Sequence, residues 1–248
     1  MKQILHTIKM GVVFSIFGSI CMLGNCLFVP IVLLGAYKIK AIRYFSRDCV
    51  FYAWRVFVYV ASIFKCIKVS YNIESAPMQS IIIANHPSLL DIVLLVARFK
   101  RANCIVKRNL ANNIFLCGAI RASGYIVNRE NEITLNEANT ALNDGECLII
   151  FPEGTRSNEK IVFHKAAAYI AINAAKVVLP VFIKMSPRGL NKGDKWYRTP
   201  NMRYEITSGE MLYLEQFHNE RPKPIRARLL HESLRQIYKK EFHDEFEK

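Results

Sequence analysis

Between Met10 and Tyr37 the chain runs for 28 residues without a charged side chain. About 20 apolar residues suffice to cross the hydrocarbon core of a bilayer, so this segment must be covered by protein or by lipid. Lys2 and Lys9 precede the run, and Lys38, Lys40, Arg43 and Arg47 follow it. Positive charge on both flanks gives no inside–outside asymmetry, and Gly18, Gly24, Gly35 and Pro30 interrupt the run. The segment reads as a span, or as a kinked or re-entrant helix held in one leaflet. A second apolar run, Cys49 to Phe64, carries only Arg55 and suits an interfacial helix whose arginine snorkels to the headgroups. A cleaved leader is the rival reading, with Leu23-Gly24-Asn25-Cys26 at its end. Asn25 is a poor residue before such a cysteine, and the apolar run continues past it.

Charge narrows the partners. The chain has 34 Lys and Arg against 20 acids, a net +14, which calls for a polyanion: nucleic acid, an anionic membrane or a phosphorylated substrate. With 52% hydrophobic residues and a mean hydropathy of +0.13, membrane is favoured. No nucleic-acid motif occurs, and none is expected as a partner. Residues 1–69 hold nine Lys or Arg and one acid, Asp48, a balance suited to anionic lipid. Seven cysteines at irregular spacing, with no C-x-x-C, exclude a disulfide framework or zinc site and suit reduced core residues facing the cytosol.

Beyond residue 68 short β-rich runs alternate with helical stretches. Strands are expected at 67–73, 80–84, 104–107, 125–127, 147–151, 178–184 and 203–207. Helices are expected at 87–99, 110–121, 133–142, 164–175 and 225–242. Such alternation predicts an α/β fold with a mostly parallel central sheet and flanking helices, its sites in loops at the carboxyl ends of strands. The expected division is an N-terminal apolar membrane-anchoring segment, 1–68, and a catalytic domain, 69–248. The basic stretch 188–203 reads as a loop.

Two motifs follow apolar strands. In Asn85-His86-Pro87-Ser88-Leu89-Leu90-Asp91, Pro87 suits the first position of a helix and leaves His86 at the N-cap. Outside the helix, the imidazole can fold back on the Asp91 carboxylate. That contact fixes the tautomer and leaves the second ring nitrogen as a base. A substrate hydroxyl makes a protein nucleophile unnecessary, although Ser88 leaves a covalent acyl-enzyme open. In Phe151-Pro152-Glu153-Gly154-Thr155-Arg156-Ser157, Gly154 permits close backbone approach. Thr155 and Ser157 offer hydroxyls, and Arg156 presents a planar fork matched to phosphate.

Together and in this order, the two motifs resemble the glycerolipid acyltransferase family, whose type members are the 1-acylglycerol-3-phosphate acyltransferases. The resemblance covers roughly residues 65–210. Ile105-Val106-Lys107-Arg108-Asn109-Leu110 resembles the family's lysine block, and Gly124-Tyr125-Ile126-Val127-Asn128-Arg129 its glycine-to-arginine strand; Leu179-Pro180-Val181 resembles its apolar-proline block. Two positions depart: Asn128 stands where an aspartate is common, and Ala166 after Lys165 where many members have glycine.

The resemblance implies transfer of an acyl group from acyl-CoA or acyl-carrier protein to the sn-2 hydroxyl of lysophosphatidic acid, in phospholipid synthesis. His86 and Asp91 would be catalytic; Asn85, Lys107, Arg129, Glu153, Gly154, Thr155 and Arg156 would bind substrate. No metal or organic cofactor is implied beyond the thioester co-substrate. Membrane lipids and the lysophospholipid would be partners, with the catalytic domain on the cytoplasmic face. Another lysophospholipid or amino-lipid acceptor is the first alternative, and an inactive lipid-binding membrane protein the second.

Overall fold

Strand β2 (Ser80–Ala84) places Ile81, Ile82 and Ile83 in succession, all fully buried. Successive strand residues point to opposite faces, so such a strand needs cover on both. The computed structural model, which describes residues 2–129, 131–156, 161–190, 193–217 and 221–243, supplies that cover. The other strands are β1 (Ile67–Asn72), β3 (Asn103–Lys107), β4 (Ile126–Asn128), β5 (Leu148–Ile150), β6 (Val177–Ser186), β7 (Met202–Ser208) and β8 (Leu212–Tyr213). They form one sheet in the order β1-β7-β6-β2-β5-β3-β4, with β8 on β6. Strands β2 to β6 run parallel; β1, β7 and β8 run against them. The expected mostly parallel sheet is present.

Alternation divides the core. Ile82, Ala84, Ile149, Leu179 and Val181 pack on one face with helices α1 (Lys2–Leu33), α2 (Lys40–Ile63), α3 (Asp91–Val96), α4 (Arg108–Ala111) and α5 (Cys117–Ala122). Ile81, Ile83, Leu148, Ile150 and Val178 face α6 (Asn131–Asn143), α7 (Ala166–Ala174) and α8 (Lys223–Phe242). Neighbouring strands β2 and β5 send their chains to opposite faces, into α3 and α7 respectively. A crevice opens at the carboxyl ends of strands where such a switch occurs.

One rung at that end of the sheet is made by a side chain. Pro180 of β6 pairs with Ile83 of β2 and has no N–H to give a ladder. Tyr238 of α8 fills the gap: its hydroxyl donates to Ile83 O (2.6 Å) and accepts from Val181 N–H (3.2 Å).

Two helices differ from expectation. The helix expected over 87–99 starts only at Asp91, with Leu90 at its N-cap. Asp91 draws in both the N–H and the hydroxyl of Ser88, which holds 88–90 as a turn. The helix expected over 110–121 splits into α4 and α5, because Asn113 Oδ1 captures the Phe115 N–H at 2.9 Å. Strand β8 was not expected from the sequence, and the loop over 188–203 contains one helical turn, Trp196–Arg198.

The apolar N-terminal run becomes α1, which starts at Lys2 and ends at Leu33, two residues before the left-handed Gly35 (φ 67). Its stretch Ile4–Leu33 is long and apolar enough to cross a membrane, and only 11% of its apolar window is buried. Yet α1 is fastened to the α/β layers at both ends. His6 Nε2 contacts Thr199 O, Thr7 Oγ1 donates to Tyr197 O (3.2 Å), and Asn25 Nδ2 donates to Ile114 O (2.7 Å). Helix α2 buries Val50, Phe57 and Ala61 and exposes Phe45, Tyr52, Val56, Tyr59 and Ile63 along one stripe. Arg47, counted above among the lipid-facing cations, is buried: it pairs with Glu146 at 2.9 Å and donates to Ser123 O at 2.8 Å. Residues on both sides of the 68/69 boundary thus share one core.

Candidate active site

β2 ends at Ala84, and the next residue is held before any chemistry begins. Asn85 is buried, and its amide makes two bonds to one residue of β6: Nδ2 to Ile183 O (2.9 Å) and Ile183 N to Oδ1 (2.8 Å). His86 follows. Its backbone N–H donates to Glu153 Oε1 at 2.7 Å, which ties the end of β2 to the loop after β5. The imidazole stacks on Phe151, with ring centroids 4.3 Å apart. Backbone, ring plane and neighbouring strand therefore all fix His86.

The imidazole Nδ1 lies 2.8 Å from Asp91 Oδ2; Asp91 is fully buried and His86 is partly open. A carboxylate at Nδ1 keeps the proton there and leaves Nε2 as an acceptor. Asp91 accepts two further bonds, from Ser88 N–H to Oδ2 (2.7 Å) and from Ser88 Oγ to Oδ1 (2.5 Å). Burying a carboxylate is costly without donors, and three converge on this one. Ser88 is itself fully buried, with its proton on Asp91 and its oxygen accepting from Leu90 N–H and Tyr204 Oη. That geometry removes Ser88 as a nucleophile. Burial pushes the thiols of Cys104 and Cys147 up, to about 12 and about 11, so these two stay protonated.

The second motif follows β5, the strand beside β2. Glu153 is buried with its carboxylate on His86, while Gly154 (φ 64) and Thr155 are exposed. Arg156 Nη1 donates to Leu190 O at 2.9 Å, and the same carbonyl accepts the Leu89 N–H at 3.2 Å. Arg156 thus docks against the turn that carries His86. Ser157 lies outside the described residues. Lys107 and Arg129 stand exposed at the ends of β3 and β4, on the same edge of the sheet. At roughly 4.8 Å per strand, those ends lie about 10 and 14 Å from the end of β2. Arg129 pairs with Glu137 at 3.5 Å and lines a cleft of about 970 Å³ outside β4, together with Arg108, Arg121 and Arg43. His86 does not line that cleft.

Sequence reasoning missed Tyr204, the Leu190 carbonyl and the stacking role of Phe151. Phe151 sits inside a quoted motif and was open to inference. Tyr204 lies on an alternating strand and reads only as core.

A His–Asp pair at the carboxyl end of β2, at the switch point of an α/β sheet and with cations along the same edge, suits proton transfer on a ligand that carries negative charge. Residues 67–184, which carry both motifs, match the family model described as Acyltransferase. The match spans a little under half of the chain and makes the protein an acyltransferase. A 1-acyl-sn-glycerol-3-phosphate acyltransferase of Helicobacter pylori (strain J99 / ATCC 700824) is 28% identical over 173 residues, 66% of this chain and 70% of that protein. The crystal structure of the 1-acyl-sn-glycerophosphate (LPA) acyltransferase PlsC from Thermotoga maritima has the same fold. The match has a TM-score of 0.63 at 23% identity and covers 96% of each chain.

Proposed function

We propose that this acyltransferase joins an acyl group from a thioester, acyl-CoA or acyl-carrier protein, to the sn-2 hydroxyl of lysophosphatidic acid. The observation that carries the reading is the His86 Nδ1–Asp91 contact of 2.8 Å at the crevice, in a chain similar to an enzyme named for this acceptor. His86 Nε2 takes the proton of the acceptor hydroxyl as its oxygen attacks the thioester carbonyl. The carbon–sulfur bond then breaks, and the imidazolium returns the proton to the departing sulfur. A positioned base of this kind is worth about 10²–10⁴ in rate. Asp91 holds the ring and stabilises its charged form.

In this reading Asn85 and Glu153 act on the substrate through His86, because their polar groups are committed to Ile183 and to the His86 backbone. Gly154 and Thr155 shape the open side of the crevice. Arg156 is the foremost phosphate ligand: it docks on the His86 turn, and the phosphate of the acceptor sits on the carbon next to the reacting hydroxyl. Lys107 comes next, and Arg129, farthest along the edge, last. No metal or cofactor takes part.

The exposed apolar surfaces of α1 and α2 attach the enzyme to lipid. Attachment of α1 to the domain at both ends favours a helix lying in one leaflet over a span, with the site at the cytoplasmic surface. The test offers membranes containing the protein a labelled acyl thioester and a panel of acceptors, with products read by mass. Phosphatidic acid is expected as the main product. Acylation confined to a lysophospholipid with a headgroup, or to an amino-lipid, would refute the assignment.

A further inference from the structure

The hydrogen bonds behind His86 do not stop at Asp91. Tyr204, on β7, lies 116 residues from Ser88 in sequence and is fully buried, yet its hydroxyl donates to Ser88 Oγ at 3.0 Å. A serine hydroxyl has one proton and two lone pairs. Here the lone pairs accept from Leu90 N–H (3.2 Å) and from Tyr204, so the proton is left for Asp91 Oδ1 at 2.5 Å. The groups form one hydrogen-bonded chain that runs from the buried Tyr204, Ser88 and Asp91 to the partly open His86.

We propose that Tyr204 is a positioning residue for acyl transfer: by donating to Ser88 it holds the Ser88 proton on Asp91 and so sets the charge and direction of the carboxylate that orients His86. The inference rests on the reading of His86 as the base.

Packing alone does not account for the hydroxyl. A phenylalanine would fill nearly the same volume at this site without desolvating a polar group, which is costly when left unbonded. The hydroxyl also lies 3.5 Å from Met202 Sδ, but a thioether is a weak acceptor. Burial, and then the nearby Asp91 charge, push the Tyr204 phenol above its ordinary range, so it remains a donor throughout the working pH range. Chains of this kind polarise one another, each bond strengthening the next.

The experiment uses the full-length enzyme in lipid vesicles and compares Tyr204→Phe, Ser88→Ala and their double mutant, with His86→Ala as the reference. Tyr204→Phe is expected to lower kcat roughly 5–30-fold, the worth of one hydrogen bond, with KM for both substrates unchanged. With the Ser88 proton held less firmly on it, Asp91 carries more uncompensated charge and grips the imidazolium more tightly. The acid limb of the kcat/KM profile should then move up by about half a pH unit or more. A smaller folded fraction would scale kcat but leave that limb in place. Because Tyr204 acts through Ser88, adding Tyr204→Phe to Ser88→Ala should change nothing further. Losses that multiply, or an unmoved acid limb in Tyr204→Phe, overturn the proposal. If His86→Ala is inactive at the same time, the reading of the site survives without it; if His86→Ala is active, both fall.

Discussion

The end of β2 and the ends of β3 and β4 lie on the same edge of one sheet, yet they are built in opposite ways. At β2, Asn85, Ser88, Asp91 and Glu153 are buried and every one is bonded to the backbone or side chain of a neighbour. At β3 and β4, Lys107 and Arg129 are exposed, and the Arg129 guanidinium pairs with Glu137 at 3.5 Å, both half or nearly half open to solvent. Buried networks resist reorientation and so hold a reacting group in one geometry. Exposed cations attract an anion from a distance but hold it less rigidly than a buried network does. In the proposed reaction the first region would serve turnover and the second acceptor affinity.

The largest expected effect falls on the buried side. His86→Ala should lower kcat by about 10²–10⁴ with little change in KM, measured as initial rates in vesicles. A rise in KM alone would move His86 to the affinity side of the comparison.

Arg156 sits between the two regions. Its loss should lower the preference for a phosphate-bearing acceptor over a neutral monoacylglycerol at least about tenfold, as a hydrogen bond to a charged group is worth roughly 1.5–3 kcal/mol. Arg156→Lys should not restore it, since a point charge cannot copy the fork. Lys107→Ala should cost less, and Arg129→Ala least. Equal damage with both acceptors would make Arg156 a loop anchor for the Leu190 carbonyl.

Stability should divide along the same line. Tyr238→Phe leaves Val181 N–H and Ile83 O without their bridge and should cost about 1–3 kcal/mol. Exposed Arg129→Ala should stay within about 0.5 kcal/mol. Comparable losses in thermal unfolding would show that β4 is held as tightly as β2.

The smallest effect concerns the membrane. Salt at 1 M shrinks the Debye length to about 3 Å, so membranes washed with salt and then alkali should retain the protein through the apolar faces of α1 and α2. Release by salt alone would reduce the attachment to surface charge.

Much of this fold was legible because its strands are apolar on both faces. The strand expected at 80–84 is β2 residue for residue, and the sheet direction followed from strand–helix alternation. What failed was local competition: Ser88, Asp91 and Asn113 draw backbone N–H groups into turns, and periodicity does not register such bonds. The expected N-cap placement of His86 was wrong in detail, although the ring does meet Asp91. Arg47 illustrates a different limit. Its partner Glu146 lies far away in sequence, so a buried ion pair looked like a lipid-facing charge. Tyr204 and Leu190 reach the site only through the folded chain.

The most direct test of the central claim, that His86 and Asp91 act as one base, is the double-mutant cycle of His86→Ala and Asp91→Ala in the acyl-transfer assay. Groups that work as a unit lose their contribution once, so the double mutant should be no slower than the slower single mutant, within about threefold. Losses that multiply would mean that the two side chains act independently and that the buried contact between them is structural.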